Sequence, residues 1–576
     1  MKSRQPRIGG NLQFGNHDRE NPVAESAGLR RHFALRFEIS GTLRIFRQFP
    51  SGAFAALVSA ALSYASFPPL EMGWAAWIAL IPLLWTSIGS GGKHGFMLGW
   101  LFGFALYLAH FALLHSLPEF RVYHALLLAS FYALFSGAAG FALGRLDRAS
   151  HFLPLHAAAI WIVCDFARDH AGFMALPWPH LGATQTANLP VLQLAQFGGV
   201  YLIGFVMVVC AALLYQALSQ RKAHHGAVAV LLMMSAHGAG WVSMSMGAMG
   251  DTPAARLAVG IVQPNILPHA RDTSTGDRAA QDRIAQLHAR LAADKPDVVV
   301  WPESAMRGLS EGTHSVQRVA GFVARHGVPV LTGAAEGEKF VDAENKIRRQ
   351  EYNSAYWASN DRGDWPNYRK LRLFPFGEYQ PLSQWVDWPS WLVPKVFDFV
   401  PGQDRVMFDF PRGVRAGVLI CWESLFARDA RDAVQGGARL LAVLSNDAWF
   451  RSETISRLHN LAAILRAVEM QTPVIVASNT GPSLLIDGHG RVLESSAFEQ
   501  PGTLSAGLSI PVKASVYAAI GDVFAWACIA WVLVLICAAA CGRKKSGQVA
   551  TPRVIDRMAR SGWPSAISDS SSTVRG

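Results

Sequence analysis

Three segments in the second half of the chain hold residue types that could do covalent chemistry. In Gly417-Val418-Leu419-Ile420-Cys421-Trp422-Glu423-Ser424 an apolar run, read as a strand, delivers a cysteine, and a helix-like segment follows. A thiol at a helix N-terminus has its thiolate favoured by the free N–H groups and the helix dipole. The same N–H groups can hold the oxyanion of an acyl transfer. In Val298-Val299-Val300-Trp301-Pro302-Glu303 a second apolar strand ends at a carboxylate, and strand ends are where α/β domains gather their active sites. In Tyr368-Arg369-Lys370 through Pro375-Phe376-Gly377-Glu378-Tyr379 a lysine precedes an aromatic–proline turn and a Gly-Glu pair. Each segment alone has a plain structural explanation: an inert core thiol, a surface acid in a turn, a basic strip with Arg369 and Arg372. Together they supply a nucleophile, a base and a cation for an oxyanion, the minimum parts of covalent acyl chemistry.

Other chemistries find less support. The chain has no HExxH, no P-loop and no GxGxxG after a strand. His459 lies on a helix face and reads as structural, and His224-His225 sits in a basic loop, so no metal site is expected. Cys164, Cys210, Cys528, Cys537 and Cys541 lie in strongly apolar stretches and read as small hydrophobes. Only Cys421 lies in a polar part, and no disulfide or zinc-ligand spacing is present.

The elements that must position these residues fall between 251 and 515. Strands are expected at Leu257–Val262, Asp297–Trp301, Pro329–Gly333, Gly417–Cys421, Leu440–Ser445, Val474–Ser478 and Leu484–Asp487. Helices are expected at Asp277–Asp294, Ser315–Arg325, Ser424–Gln435 and Arg457–Gln471. This alternation predicts a layered α/β domain.

The rest of the 576 residues is of another kind. Hydrophobic residues make up 51% and charged ones 16%, against roughly 25% charged in an average soluble domain. Mean hydropathy is +0.20. That composition excludes a disordered protein, a collagen-like repeat and a disulfide-rich secreted module, and fits a membrane protein with a sizeable polar part. Seven apolar runs lie at about 51–67, 72–89, 95–116, 122–143, 151–165, 191–218 and 226–247, and an eighth at about 518–541. A crossing helix needs about 20 residues, so the first and fifth runs are the shortest candidates. Loops bearing Lys93, Arg145 with Arg148, and Arg221 with Lys222 alternate with loops poor in positive charge, where Arg121 sits by Glu119 and Arg168 by Asp165 and Asp169. The positive-inside rule then puts the basic N-terminal tail and Arg543-Lys544-Lys545 in the cytoplasm and residues 251–515 outside. No apolar core opens the chain, so a cleavable signal peptide is not expected. The net charge of +11 suits an anionic inner leaflet. No aromatic-plus-basic motif argues for nucleic acid.

With these residues in place, the sequence closely resembles the apolipoprotein N-acyltransferases, bacterial inner-membrane enzymes with a periplasmic nitrilase-superfamily domain. The resemblance covers roughly residues 50–542 and rests on several segments in order. They are Trp301-Pro302-Glu303-Ser304, Tyr368-Arg369-Lys370 through Gln380-Pro381, Ile420-Cys421-Trp422-Glu423, Ser445-Asn446-Asp447-Ala448-Trp449-Phe450 and Ser478-Asn479-Thr480-Gly481-Pro482-Ser483. In the apolar half they are Ser66-Phe67-Pro68-Pro69, Trp77 to Leu84 and Pro177-Trp178. The chain departs from the family at Trp422, where a tyrosine is usual, and at Arg451 to His459, where a Gly and a Gly-Pro-x-Gln-His pattern are usual. It departs again at His269-Ala270-Arg271, where a tryptophan is expected, and in its longer polar tails.

The resemblance implies an α-helical bundle of about eight membrane helices plus an extracytoplasmic αββα nitrilase-like domain. In that layout 1–48 is a polar basic tail, 49–250 the transmembrane domain with about seven helices, 251–515 the catalytic domain, 516–542 the C-terminal membrane helix and 543–576 a disordered cytoplasmic tail. It implies a ping-pong reaction without cofactor. Glu303 takes the Cys421 proton, the thiolate takes an acyl chain from a phospholipid, and Lys370 holds the oxyanion. The thioester then passes to the amine of a diacylglyceryl-cysteine on an apolipoprotein. Glu378 and Glu423 support the site, Trp422 follows the nucleophile, and Trp178 lines the lipid path. The expected setting is the bacterial inner membrane, with the catalytic domain in the periplasm, both termini cytoplasmic, and the protein a monomer. Two rivals remain. A membrane-tethered carbon–nitrogen hydrolase would use the same Glu303, Lys370 and Cys421 with water as acceptor, and a non-catalytic lipid binder would have inherited the fold.

Overall fold

The structure is a computed structural model that describes residues 51–117, 119–250, 254–309, 314–341, 347–360, 365–393 and 398–547. The expected N-terminal tail, and the expected C-terminal tail from 548 on, lie outside the described residues. Among the described residues, five helices are long and apolar enough to cross a membrane: Gly92–Ser116, Val122–Leu143, Ala195–Gln220, Ala223–Met246 and Val523–Cys541. Ser51–Ala65 and Ala75–Ser87 are apolar but shorter. The expected run at 72–89 is broken because Ala75–Trp77 winds as a 3₁₀ turn before Ile81–Ser87 restarts as an α-helix with a proline in its first turn. The fifth run forms Leu153–Asp169.

That last helix corrects one expectation. Asp165, Arg168 and Asp169, read above as loop charges, end the helix, and Arg168 and Asp169 are buried. Arg168 donates to Tyr107 Oη (2.8 Å), Asp165 Oδ1 (2.9 Å) and the Leu176 carbonyl (3.0 Å). Asp169 accepts from Tyr201 Oη (2.6 Å) and pairs with His180 (2.8 Å). Buried charges persist only when paired and hydrogen-bonded in this way. The network holds the Leu176–His180 segment, and so Trp178, against the helices.

Helices Gly92–Ala112 and Val122–Leu143 touch backbone to backbone. A Cβ on Gly140 would lie 2.2 Å from the Gly95 carbonyl oxygen, and one on Gly95 would lie 2.1 Å from that of Gly140. Small residues at four-residue spacing permit this approach where no water drives helices together.

The polar part is two sheets with helices outside both. The first sheet has the order β13 (Gly502–Ile510), β1 (Ala255–Gln263), β2 (Val298–Val300), β4 (Val330–Val341), β5 (Ile347–Ala358), β6 (Asn367–Arg369), with β3 (Met306–Arg307) beside β4. The second has the order β12 (Val492–Ser495), β11 (Leu484–Ile486), β10 (Val474–Ser478), β9 (Leu440–Ser445), β8 (Val414–Ile420), β7 (Met407–Phe410). Period-two alternation assigns the faces. Val298, Val300, Val414, Ala416, Val418 and Ile420 enter the core between the sheets. Val299 turns out to helices Ser274–Ala292 and His314–His326, and Leu419 to helices Ala427–Gln435 and Glu453–Met470.

One helix ties this part to the membrane helices. Glu469, at the end of Glu453–Met470, accepts from the backbone N–H of Val200 at 3.0 Å. It caps the point where helix Ala195–Gln220 resumes after a break at Gly198 and Gly199. Gly199 has φ +65°, and a Cβ there would lie 2.7 Å from the Tyr517 ring, so both backbone and packing call for glycine.

Gly140→Val should push the first helix pair apart and cost about 1–3 kcal/mol, as overpacking does. The measurement is thermal unfolding of the detergent-solubilised protein. An unchanged midpoint would mean that the close approach does not hold the pair.

Candidate active site

The three chemical segments meet at one end of the two sheets. Glu303 follows β2, Lys370 follows β6 and Cys421 follows β8, so the base and the cation come from one sheet and the thiol from the other. Strands β8, β9 and β10 are parallel, which gathers their C-terminal ends, with Asp447 and Asn479 just beyond, at the same edge.

Cys421 sits at φ +49°, in the left-handed region. A non-glycine residue there stores strain and turns the chain sharply, so the side chain projects from the strand end. The expectation of a helix starting at the thiol is corrected. Cys421–Leu425 is a 3₁₀ turn and the α-helix begins only at Ala427, because the left-handed residue interrupts helical winding. Charge beside the thiolate therefore has to come from side chains more than from a helix dipole.

Lys370 is 1% exposed and lies 3.0 Å from Glu378 Oε1 and 2.8 Å from Oε2. Burial pulls its ammonium down, but Glu378, Cys421 and Glu303 more than offset that, so it is held above the usual lysine range and stays charged. Asn353, on β5, donates through one amide nitrogen to Glu303 Oε1 (2.7 Å) and Glu378 Oε1 (2.9 Å) and so spaces the two acids. Gly333 leaves room for the turn at Glu303: a Cβ there would lie 2.6 Å from the Glu303 Cα. Burial pushes the Glu303 carboxyl up, with Lys370 opposing and Glu378 adding. Burial likewise pushes the Cys421 thiol well up, with Glu303 adding and Lys370 opposing. A carboxylate of raised basicity beside a thiol is suited to take its proton.

Glu423 is fully buried and accepts four hydrogen bonds. They come from Tyr368 Oη (2.6 Å), the backbone N–H of Leu371 (2.8 Å) and Arg372 (3.2 Å), and the backbone N–H of Ile420 (2.7 Å). It fastens the lysine segment to the thiol turn. Trp422 points elsewhere. Its ring lies 4.8 Å from Phe374 and 5.7 Å from Phe426. It packs with Trp178 into an aromatic cluster built on Tyr107, Phe111 and Tyr132 of the apolar helices. Of the residues singled out in the sequence, Glu303, Lys370, Cys421, Glu378 and Glu423 come together, and Trp422 and Trp178 share the neighbouring apolar wall.

Three residues were missed or read as bland. Asn353 lies in a strand with no chemical signature. Asp447 stands two residues after an apolar strand, the same signal that pointed to Glu303. His459 read as structural, yet it lies 3.1 Å from Asp447 Oδ1, 3.1 Å from the Cys421 carbonyl oxygen and 3.0 Å from Ser424 Oγ. Among the described residues, Cys421, Asp447 and His459 are the one cluster of metal-ligating types, with ligand atoms within 4.8 Å of one another. Both ring nitrogens of His459 face oxygens, so neither lone pair is free for a metal.

Residues 59–213 match the family described as apolipoprotein N-acyltransferase N-terminal domain, and residues 258–515 match carbon-nitrogen hydrolase. Two similar relatives are each called apolipoprotein N-acyltransferase. That of Geobacter metallireducens is 29% identical over 85% of this chain and 95% of its own length. That of Allorhizobium ampelinum is 30% identical over 79% of this chain and 89% of its own length. The solved structure of Saccharomyces cerevisiae Nit3, of the nitrilase superfamily, is 21% identical, covers 44% of this chain and 90% of its own, and has a TM-score of 0.34.

A base must be ionised to take a proton, so with Glu303 in that role activity falls as pH drops through its raised value. The acid limb of log(kcat/KM) should lie above the ~4.3 of a free glutamate. Asn353→Leu removes a hydrogen bond that favours the ionised form and should move that limb up by about one unit. A limb that stays in place would mean another group titrates there.

Proposed function

The chain belongs to the apolipoprotein N-acyltransferase family and catalyses lipoprotein N-acylation, and we propose that Cys421 carries the acyl group between two lipid substrates, with Glu303 as base and Lys370 at the oxyanion. In the first half-reaction Glu303 takes the Sγ proton and the sulfur electron pair attacks the ester carbonyl carbon of a membrane phospholipid. A C–S bond forms and the carbonyl π pair moves to oxygen, where the Lys370 ammonium faces it. Collapse breaks the ester C–O bond, and the leaving alkoxide takes the proton from Glu303 as a lysophospholipid departs. In the second half-reaction the α-amine of a diacylglyceryl-cysteine attacks the thioester. Its proton passes to Glu303, the C–S bond breaks, Glu303 returns the proton to Sγ, and the amide leaves with thiol and carboxylate restored. A thioester splits one hard transfer into two easier ones.

One observation carries this reading: a single turn puts Cys421 in the buried Glu–Lys pocket and the next residue, Trp422, in the aromatic cluster of the membrane helices. An acyl chain lying along that cluster would bring its ester to the thiol without leaving apolar surroundings. A hydrolase of soluble amides has no use for such a wall, so the amidase reading is not favoured. The enzyme is a membrane protein with several apolar helices. Its finer topology is eight crossings with both termini cytoplasmic and residues 251–515 in the periplasm, supported by the basic loops at Lys93, Arg145 and Arg221.

The test is peptide-resolved mass spectrometry of protein purified from membranes. The Cys421 peptide should carry a base-labile fatty acyl group that disappears when a diacylglyceryl-cysteine peptide is added and reappears on its amine. Cys421→Ala should carry none. An unacylated Cys421 in excess phospholipid would sink the donor assignment.

A further inference from the structure

The helix Glu453–Met470 delivers His459 to the back of the nucleophile turn. Nδ1 lies 3.1 Å from Asp447 Oδ1, and Nε2 lies 3.1 Å from the Cys421 carbonyl oxygen and 3.0 Å from Ser424 Oγ. Ser424 Oγ spends its own proton on the same carbonyl, at 2.8 Å. With that hydroxyl donating to the carbonyl, each ring nitrogen faces an acceptor, an arrangement that suits the doubly protonated imidazolium. Burial opposes that charge, and Asp447, the Cys421 carbonyl and Glu303 outweigh it, so the ring is held above the ordinary histidine range.

Charge balance shows what the ring is for. Glu303, Asp447 and Glu378 all disfavour a thiolate at Cys421, and Lys370 favours it. Glu378 is matched by Lys370. Asp447 is 1% exposed, and its salt-bridge partner is His459. The sulfur, a carboxylate oxygen of Asp447 and a ring nitrogen of His459 lie within 4.8 Å of one another. At that range in a buried site a bare carboxylate would strongly resist a second negative charge. On its own helix, Glu453 and Arg457 pair with each other, and Arg457 also pairs with Glu71, so neither faces the ring as a free charge.

We propose that His459 is a positioning residue for the nucleophile: its imidazolium cancels Asp447 and clamps the Cys421 carbonyl, so that a thiolate can form as Glu303 takes its proton, with Asp447 and Glu378 still charged nearby. The proposal rests on Cys421 as the nucleophile. The Sγ proton still goes to Glu303, and His459 keeps both its protons and forms no covalent bond.

The experiment measures alkylation of Cys421 by iodoacetamide across neutral to alkaline pH in the full chain, read on the Cys421 peptide. His459→Gln leaves Asp447 bare and should displace the pH profile about one unit to the alkaline side, a slowing of about tenfold at neutral pH. The double variant His459→Gln/Asp447→Asn removes both charges and should return the profile close to wild type. A role in packing alone predicts the reverse order, with the double variant at least as impaired as the single. An unmoved single variant, or a double that stays displaced, overturns the proposal. If the single variant does not fold, the double decides: a wild-type profile supports compensation and a displaced one refutes it. Failure of the Cys421 reading is separable, since it would show as an unacylated Cys421 in the wild type.

Discussion

The site depends on one carboxylate that reacts with nothing. Glu423 is fully buried between the two sheets and spends its oxygens on Ile420 from one and on Tyr368, Leu371 and Arg372 from the other. Apolar contact between the sheets is strong but lets faces slide, and directed bonds such as Ser483 to Gln263 and Asn479 to Ile266 pin them elsewhere. Four directed hydrogen bonds to a charged acceptor fix register as well as separation. At this end of the sheets that register sets the Lys370 ammonium and the Cys421 sulfur, carried on different sheets, opposite each other.

The same constraint explains why the pocket can be so rich in charge. Glu303, Glu378, Asp447, Lys370 and His459 are gathered where little water reaches, and burying unpaired ions is costly. The structure answers by pairing: Lys370 with Glu378, His459 with Asp447. Glu303 is left with Asn353 as its neutral donor, and its carboxyl is pushed up. The group without a counter-ion of its own is the one proposed to gain and lose a proton.

Helix Glu453–Met470 extends this order toward the membrane. It braces the nucleophile turn through His459 near one end and caps a membrane helix through Glu469 at the other. Trp422 makes a second link, one residue from the thiol, into the aromatic cluster shared with Trp178. Reacting groups and apolar wall are therefore positioned by shared elements, which is what a reaction on lipid esters requires.

The sequence alone determined the layered α/β part, its strongest strands and the three segments that supply the residues proposed to react. Strands β9 and β10 are apolar up to a closing serine and β8 is apolar after Arg415, and such runs are local facts that a chain carries wherever it folds. It did not reveal β5 or β13, whose polar residues look like loop until a partner strand supplies their hydrogen bonds. It also suggested eight apolar runs, the first and fifth the shortest, of which five form helices of spanning length. Tertiary structure decided the rest. Asn353 and His459 acquire meaning because residues distant in sequence place Glu303 and the Cys421 carbonyl against them. Hydropathy and strand pattern are set by neighbours along the chain, whereas protonation and charge pairing are set by neighbours in space.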